Sequence, residues 1–132
     1  MEIYMYAGSL LIMLALLSYK KNVSAGIVLL AFVPLFLISA LRYDIGTDYS
    51  SYLIIFENPN VMNTREKGFM LLNAFVRGEG LPFQVVVIVF SVITLLLLFV
   101  TFAENSSDIL LSVFVFYAYP PFFLDTTNAL RQ

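Results

Sequence analysis

Residues 83–103 read FQVVVIVFSVITLLLLFVTFA, a run without a single charged side chain. A helix of about 20 apolar residues is long enough to cross the hydrocarbon core of a bilayer. Residues 23–41 form a second run of this kind, and residues 3–19 are near the lower limit of length. A fourth run, residues 109–124, is interrupted by a proline pair that should kink or end its helix. The chain is therefore predicted to be an all-α, multi-pass membrane protein with about four spanning helices.

The composition of the 132 residues supports this class and excludes several kinds of chemistry. Hydrophobic residues make up 61% and charged residues 12%, whereas a soluble domain carries roughly 25% charged residues. The net charge of −2 gives no electrostatic basis for binding nucleic acid. Cysteine and histidine are absent, which excludes disulfides, a histidine-based triad and a typical zinc site. Catalysis would have to rest on carboxylates, arginines, lysines, tyrosines or hydroxyls.

Residues 42–82 separate the second and third apolar runs and form one polar loop. Within it, Tyr49, Tyr52 and Phe56 have the spacing of one helical face. A second short helix fits residues 66–77. Both are predicted to be amphipathic helices that lie at the membrane surface.

The distribution of positive charge does not decide on which side of the membrane this loop lies. Lys20 and Lys21 favour a cytoplasmic position for the first short loop, which would place residues 42–82 outside. The basic residues of the long loop favour the opposite orientation. A cleaved signal peptide is a further interpretation of residues 3–19, although no basic segment precedes them.

Three short motifs in this chain resemble the EpsG family, multi-spanning bacterial membrane proteins that are similar to Wzy-type polysaccharide polymerases. RYDIGTDY at residues 42–49 resembles the first-loop motif of that family. EKGF at residues 66–69, followed by two leucines after one further residue, resembles its E-x-G-[FY]-x-L-L segment. NALRQ at residues 128–132 resembles its N-x-[LI]-R-Q segment. Because typical family members continue well beyond this motif, we expect residues 1–132 to form a single transmembrane domain, the N-terminal part of a longer protein.

The resemblance implies a GT-C-like glycosyltransferase architecture in the bacterial inner (cytoplasmic) membrane, with the polar loop outside. It also implies a polymerase of exopolysaccharide, capsule or O-antigen. The reaction would transfer an oligosaccharide from a polyprenyl diphosphate carrier to a lipid-linked acceptor chain. The expected partners are the bilayer, this carrier and other polysaccharide assembly proteins.

Arg42 and Arg131 are the predicted ligands of the diphosphate. A guanidinium group binds phosphate bidentately and remains charged at any relevant pH. The alternative for Arg42 is a membrane anchor whose charge reaches the headgroups. Asn128 and Gln132 belong to the same motif as Arg131 and are also predicted to contact the substrate.

Asp44, Asp48 and Glu66 are the predicted catalytic carboxylates, suited to act as a general base towards an acceptor hydroxyl. The alternatives are a loop turn for Asp44, a helix cap for Asp48 and a helix start for Glu66. No metal site and no cofactor is predicted, although the two aspartates leave a divalent cation open.

Tyr49 and Tyr52 are predicted substrate-binding residues, because aromatic rings stack on the faces of sugars. The alternative is an aromatic belt, in which tyrosines lie at headgroup level.

Two other classes of function remain open at this point. A flippase or transporter component would agree with a broken helix near the proline pair, but no charged residue lies inside the first three apolar runs. A non-catalytic membrane subunit would tolerate substitutions throughout the polar loop.

Overall fold

The computed structural model describes residues 2–18, 23–41, 49–58, 67–119 and 122–123. Within these ranges the chain forms helices and no strand, which confirms the predicted all-α class. In chain order the helices are α1 (Glu2–Ser18), α2 (Ala25–Ala40), α3 (Tyr49–Glu57), α4 (Lys67–Gly78), α5 (Gln84–Asn105) and α6 (Ile109–Ala118).

Among the described helices, α5 is the one that is both long enough and apolar enough to cross a membrane. Its 22 residues correspond to about 33 Å at a rise of about 1.5 Å per residue, against a hydrocarbon core of about 30 Å. The helices α1, α2 and α6 are apolar but shorter. A spanning role for these three stays a prediction.

The helix α6 is shorter than the apolar run in which it lies. It ends at Ala118, and Tyr119 has an extended backbone with φ −97° and ψ 99°. Tyr119 precedes a proline, and steric clash with the proline ring disfavours the helical conformation in the preceding residue. The prolines themselves and the end of the predicted run at residue 124 lie outside the described residues.

The helices α2 and α5 pack side by side and run antiparallel. The end of α2 meets the beginning of α5, where the Gln84 side chain donates a hydrogen bond to the Ala40 carbonyl. Further along, Phe32 of α2 makes an edge-to-face contact with Phe99 of α5, with 5.3 Å between ring centroids. These two contacts fix the direction of one helix relative to the other.

A first hydrophobic cluster joins α1, α2, α6 and the C-terminal half of α5. Phe123, which follows α6, closes this cluster through contacts with the rings of Phe116 and Tyr117. The buried members of the cluster are Leu11, Leu14, Ala15, Ala31, Leu35, Leu95, Phe99, Leu110, Val113, Phe116 and Phe123.

A second hydrophobic cluster joins α3 and α4 to the N-terminal half of α5. Its buried members are Tyr49, Tyr52, Phe56, Phe69, Val76, Phe83, Val86 and Val87. The helix α5 therefore contributes to both clusters, and the two short helices of the polar loop are attached to the end of α5 at which α2 also ends.

Candidate functional site

The helix α3 buries the aromatic face that its sequence spacing predicts. Tyr49 and Tyr52 are each 6% exposed and Phe56 is 9% exposed. The Tyr49 and Phe56 rings both contact Phe83, at centroid distances of 5.4 and 5.5 Å. The Tyr52 ring lies edge-on to Phe69 of α4, at 5.5 Å. These rings therefore hold α3 against its neighbours.

The helix α4 has one buried face and one exposed apolar face. Phe69, Asn73 and Val76, spaced four and three residues apart, are buried together. Leu71 and Phe75 are 74% and 63% exposed. The Oδ1 atom of Asn73 is buried and has no hydrogen-bond partner within the described ranges. The position of α4 at a membrane surface stays a prediction; there, the exposed Leu71 and Phe75 side chains would face the lipid.

The Arg77 side chain of α4 forms a hydrogen bond with the backbone of α3. Its Nη1 atom donates a hydrogen bond of 3.0 Å to the Phe56 carbonyl, which belongs to the last turn of α3. The last carbonyls of a helix have no partner within the helix, and a positive charge is favourable at that end. Arg77 of α4 therefore provides a hydrogen-bond partner for one of the last carbonyls of α3.

A pocket of about 520 Å³ lies where α2, α3 and α5 meet. Glu57 and Gln84 provide a carboxylate and a carboxamide at this pocket. The residues that line it are Leu41, Tyr49, Leu53, Phe56, Glu57, Pro82, Phe83 and Gln84. Apolar walls with a few polar groups are typical of ligand sites. The exposed Glu57 carboxylate is suited to accept hydrogen bonds from hydroxyls, whereas the Gln84 amide nitrogen already donates to the Ala40 carbonyl.

The residues on either side of segment 42–48 both line this pocket. Leu41 directly precedes the segment 42–48 and Tyr49 directly follows it, and both residues line the pocket. In sequence, the predicted arginine and aspartates thus lie between two residues of the pocket wall.

A sequence model of the EpsG family matches residues 25–132. The chain belongs to the EpsG family. The match begins at the first residue of α2 and includes all three motifs by which the family was recognised. The predicted family is therefore confirmed. No curated protein and no solved structure matches the chain.

Most of the predicted site residues of this EpsG family chain lie outside the described residues. These are Arg42, Asp44, Asp48, Glu66, Asn128, Arg131 and Gln132. Their roles stay predictions. Tyr49 and Tyr52 are described, and of these two only Tyr49 lines the pocket. Within the described ranges, no three acidic side chains lie close enough together to hold a metal ion.

The structure adds Glu57 and Gln84 to the residues that the sequence singled out. Gln84 is a polar residue at the beginning of an apolar run, a position that could have drawn attention to it. Glu57 carries no such signal, because it becomes a pocket residue only through the packing of α3 on α5.

Proposed function

We propose that this EpsG family chain belongs to a membrane polymerase of bacterial surface polysaccharide, of GT-C-like architecture. The proposed reaction transfers an oligosaccharide from a polyprenyl diphosphate to the growing end of a lipid-linked chain. Family membership carries this proposal, because the match extends over all three motifs. The pocket supports the proposal, because Leu41 and Tyr49, which stand on either side of segment 42–48 in the sequence, line it.

The chemistry divides between two kinds of side chain. An acceptor hydroxyl attacks the anomeric carbon, the bond from this carbon to the diphosphate breaks, and the lipid diphosphate leaves with the bonding electrons. Arg42 and Arg131 would stabilise the negative charge that develops on the leaving group. Asp44, Asp48 or Glu66 would take the proton of the acceptor hydroxyl.

The pocket suits a neutral sugar ring better than the diphosphate. Glu57 is exposed and lines the pocket, and a carboxylate there repels a second anion. Sugar hydroxyls can donate hydrogen bonds to the Glu57 carboxylate. The apolar wall formed by Leu53 and Phe56 suits the C–H groups of a ring.

The membrane position completes the proposal. We place the chain as a multi-pass protein in the bacterial cytoplasmic membrane, with α3 and α4 at its outer surface. The exposed Leu71 and Phe75 side chains would enter the boundary between headgroups and acyl chains. This arrangement would bring the pocket to the depth at which a lipid-linked diphosphate lies.

Substitution of the two arginines at the native gene locus tests the proposed function. Arg42→Ala and Arg131→Ala should each lower the amount of surface polysaccharide by about 10²-fold, the usual effect of removing one group that stabilises developing charge. The matched control is Lys67→Ala, which removes a positive charge from an exposed position on α4 and should leave polymer yield unchanged. If both arginine variants reach the membrane in normal amounts and make polymer of normal yield and length, the diphosphate assignment is wrong.

A further inference from the structure

We propose that Glu57 is a specificity-determining residue of the pocket: the pocket admits an uncharged sugar ring and discriminates against sugars that carry a carboxylate. The inference rests on the proposed function and deepens it, because that function brings a sugar chain to the pocket without specifying which sugars are rejected. Three features of the pocket wall carry it, namely its charge, its hydrogen-bonding groups and the support of the helix end on which Glu57 stands.

The charge of the wall comes from a single side chain. Glu57 is the one charged residue among the eight described residues that line the pocket. Its side chain is exposed, and within the described part of the chain it has no hydrogen-bond or ion-pair partner. Arg77, which donates to the adjacent Phe56 carbonyl, is not among the lining residues. A ligand that enters the pocket therefore meets a negative wall.

The remaining groups of the wall are poorly suited to compensate for a second anion. Five of the lining side chains are hydrocarbon only, and these are Leu41, Leu53, Phe56, Pro82 and Phe83. The Gln84 amide nitrogen already donates to the Ala40 carbonyl. A carboxylate that gives up water needs donors or a positive charge in its place. A hydroxyl needs neither, because it is itself a donor and can bind the Glu57 carboxylate.

The backbone on both sides of Glu57 is fixed. The carbonyl of the preceding residue, Phe56, accepts a hydrogen bond of 3.0 Å from Arg77. The amide of the following residue, Asn58, donates a hydrogen bond of 2.8 Å to the Ile54 carbonyl, so helical pairing continues past Glu57. A carboxylate on a backbone that is already ordered binds a ligand at a lower entropic cost.

Binding of matched glycosides to the purified protein measures the discrimination directly. The protein is produced from its complete gene and reconstituted in nanodiscs of phosphatidylcholine, a lipid without net charge that does not itself repel anions. The probes are the methyl glycosides of glucose, galactose and mannose, each beside its uronate. The two members of a pair differ only at C6, which carries a hydroxymethyl group in one and a carboxylate in the other. Saturation-transfer NMR titrations give the Kd of each probe.

Three variants separate the role of Glu57 from a general effect of charge. Glu57→Gln removes the negative charge with little change in size, and Glu57→Lys reverses it. Because the Glu57 side chain is exposed, neither substitution disturbs the packing of α3. The matched control is Glu79→Gln, which removes the same charge from an exposed position that does not line the pocket.

We expect at least one neutral glycoside to bind the original protein about tenfold more tightly than its uronate, as for like charges a few ångströms apart near water. Added salt should narrow this ratio, because exposed charges are screened. Glu57→Gln should lower the ratio to about twofold or less, and Glu57→Lys should make the uronate the tighter ligand. Glu79→Gln should leave the ratio unchanged.

Several results would overturn the inference. One is a ratio that neither Glu57 variant changes, and another is a ratio that Glu79→Gln lowers as much as Glu57→Gln does. Uronates that bind the original protein as tightly as their neutral partners would also overturn it, as would the absence of binding by every glycoside tested.

The two proposals fail in different ways, because glycoside binding is measured without polymer synthesis. If Arg42→Ala and Arg131→Ala lower the polymer yield and the ratio does not respond to Glu57, the proposed function stands and only the selectivity is lost. If the ratio responds as expected and both arginine variants make normal polymer, the diphosphate assignment is wrong and the sugar subsite stands.

Discussion

The Tyr117 hydroxyl donates a hydrogen bond of 2.6 Å to the backbone carbonyl of Tyr4, which connects α6 to the beginning of α1 across 113 positions of sequence. The Tyr4 carbonyl lies in the first turn of α1, and a carbonyl oxygen can accept two hydrogen bonds. The Tyr117 ring also contacts Phe123, at 5.0 Å between centroids. One side chain thus joins three parts of the first hydrophobic cluster.

Tyr117→Phe should therefore destabilise the fold without disturbing its packing. The ring remains in place, and one hydrogen bond is lost, which corresponds to about 0.5–1.5 kcal/mol in the free energy of unfolding. The measurement is SDS-induced unfolding of the detergent-solubilised protein, followed by circular dichroism. Tyr6→Phe is the control, because the Tyr6 side chain on α1, close in sequence to Tyr4, is largely exposed. Equal stability of the two variants would contradict the prediction.

Gly8 allows α1 to approach Tyr117 closely. A Cβ atom at position 8 would lie 3.2 Å from the Cε1 atom of the Tyr117 ring, whereas at Gly26 its nearest contact would be an ordinary one of 3.9 Å. Gly8→Leu should lower the free energy of unfolding by about 1–3 kcal/mol through overpacking. Gly26→Leu should leave it unchanged or raise it, because leucine favours a helix more than glycine does. The same SDS titration compares the two variants. A Gly8→Leu variant as stable as the original chain would contradict the predicted overpacking.

The Tyr52 ring is buried and lies edge-on to Phe69, so loss of the ring would remove a packing contact between α3 and α4. Tyr52→Phe should retain normal polymer yield, since the edge-to-face contact survives. Tyr52→Ala should lower the free energy of unfolding by about 3–5 kcal/mol, as expected for truncation of a buried aromatic residue. Polymer yield should fall as well. Yield per membrane-inserted protein is the quantity to compare. A Tyr52→Phe variant that is abundant but makes no polymer would give the hydroxyl the substrate contact predicted from the sequence.

The proposed orientation can be tested with single cysteines, because the chain has none. Ser51 is exposed on α3, and Ser107 is exposed in the connection that follows the other end of α5. Ser51→Cys should react with a membrane-impermeant maleimide added to intact cells. Ser107→Cys should react only after the cytoplasmic membrane is permeabilised. The reverse pattern would place the pocket in the cytoplasm and contradict the proposed polymerase.

The positions of the long helices could largely be predicted from the sequence. A helix that is apolar both where it faces lipid and where it faces the protein core appears in the sequence as one continuous apolar run. The run beginning at residue 83 predicts α5 to within one residue at its start. The helix continues to Asn105, beyond the predicted end, because polar residues such as Glu104 do not by themselves stop a helix. The cap of α6 was missed, although Asp108 accepts a hydrogen bond of 3.1 Å from the Leu111 amide and precedes an apolar run, a common signal for a helix start.

The candidate site was less accessible to sequence reasoning. Spacing correctly placed Tyr49, Tyr52 and Phe56 on one face, because helical periodicity is local. It did not reveal that two of these rings pack on Phe83, since partners in a fold are set by long-range packing. The hydrogen bond between Gln84 and Ala40 spans 44 positions, and no local pattern connects the two.

The position of Phe83 and Gln84 along the chain has a consequence for biogenesis. A ribosome delivers α2, segment 42–48 and α3 to the membrane well before it delivers the first turn of α5. At about 5–20 residues per second, the nascent chain spends seconds before Ala40, Tyr49 and Phe56 can meet their partners at the start of α5. The ring contacts of Tyr49 and Phe56 with Phe83 therefore form late, when α5 inserts, and a chain stalled before residue 83 would carry the complete first motif without them.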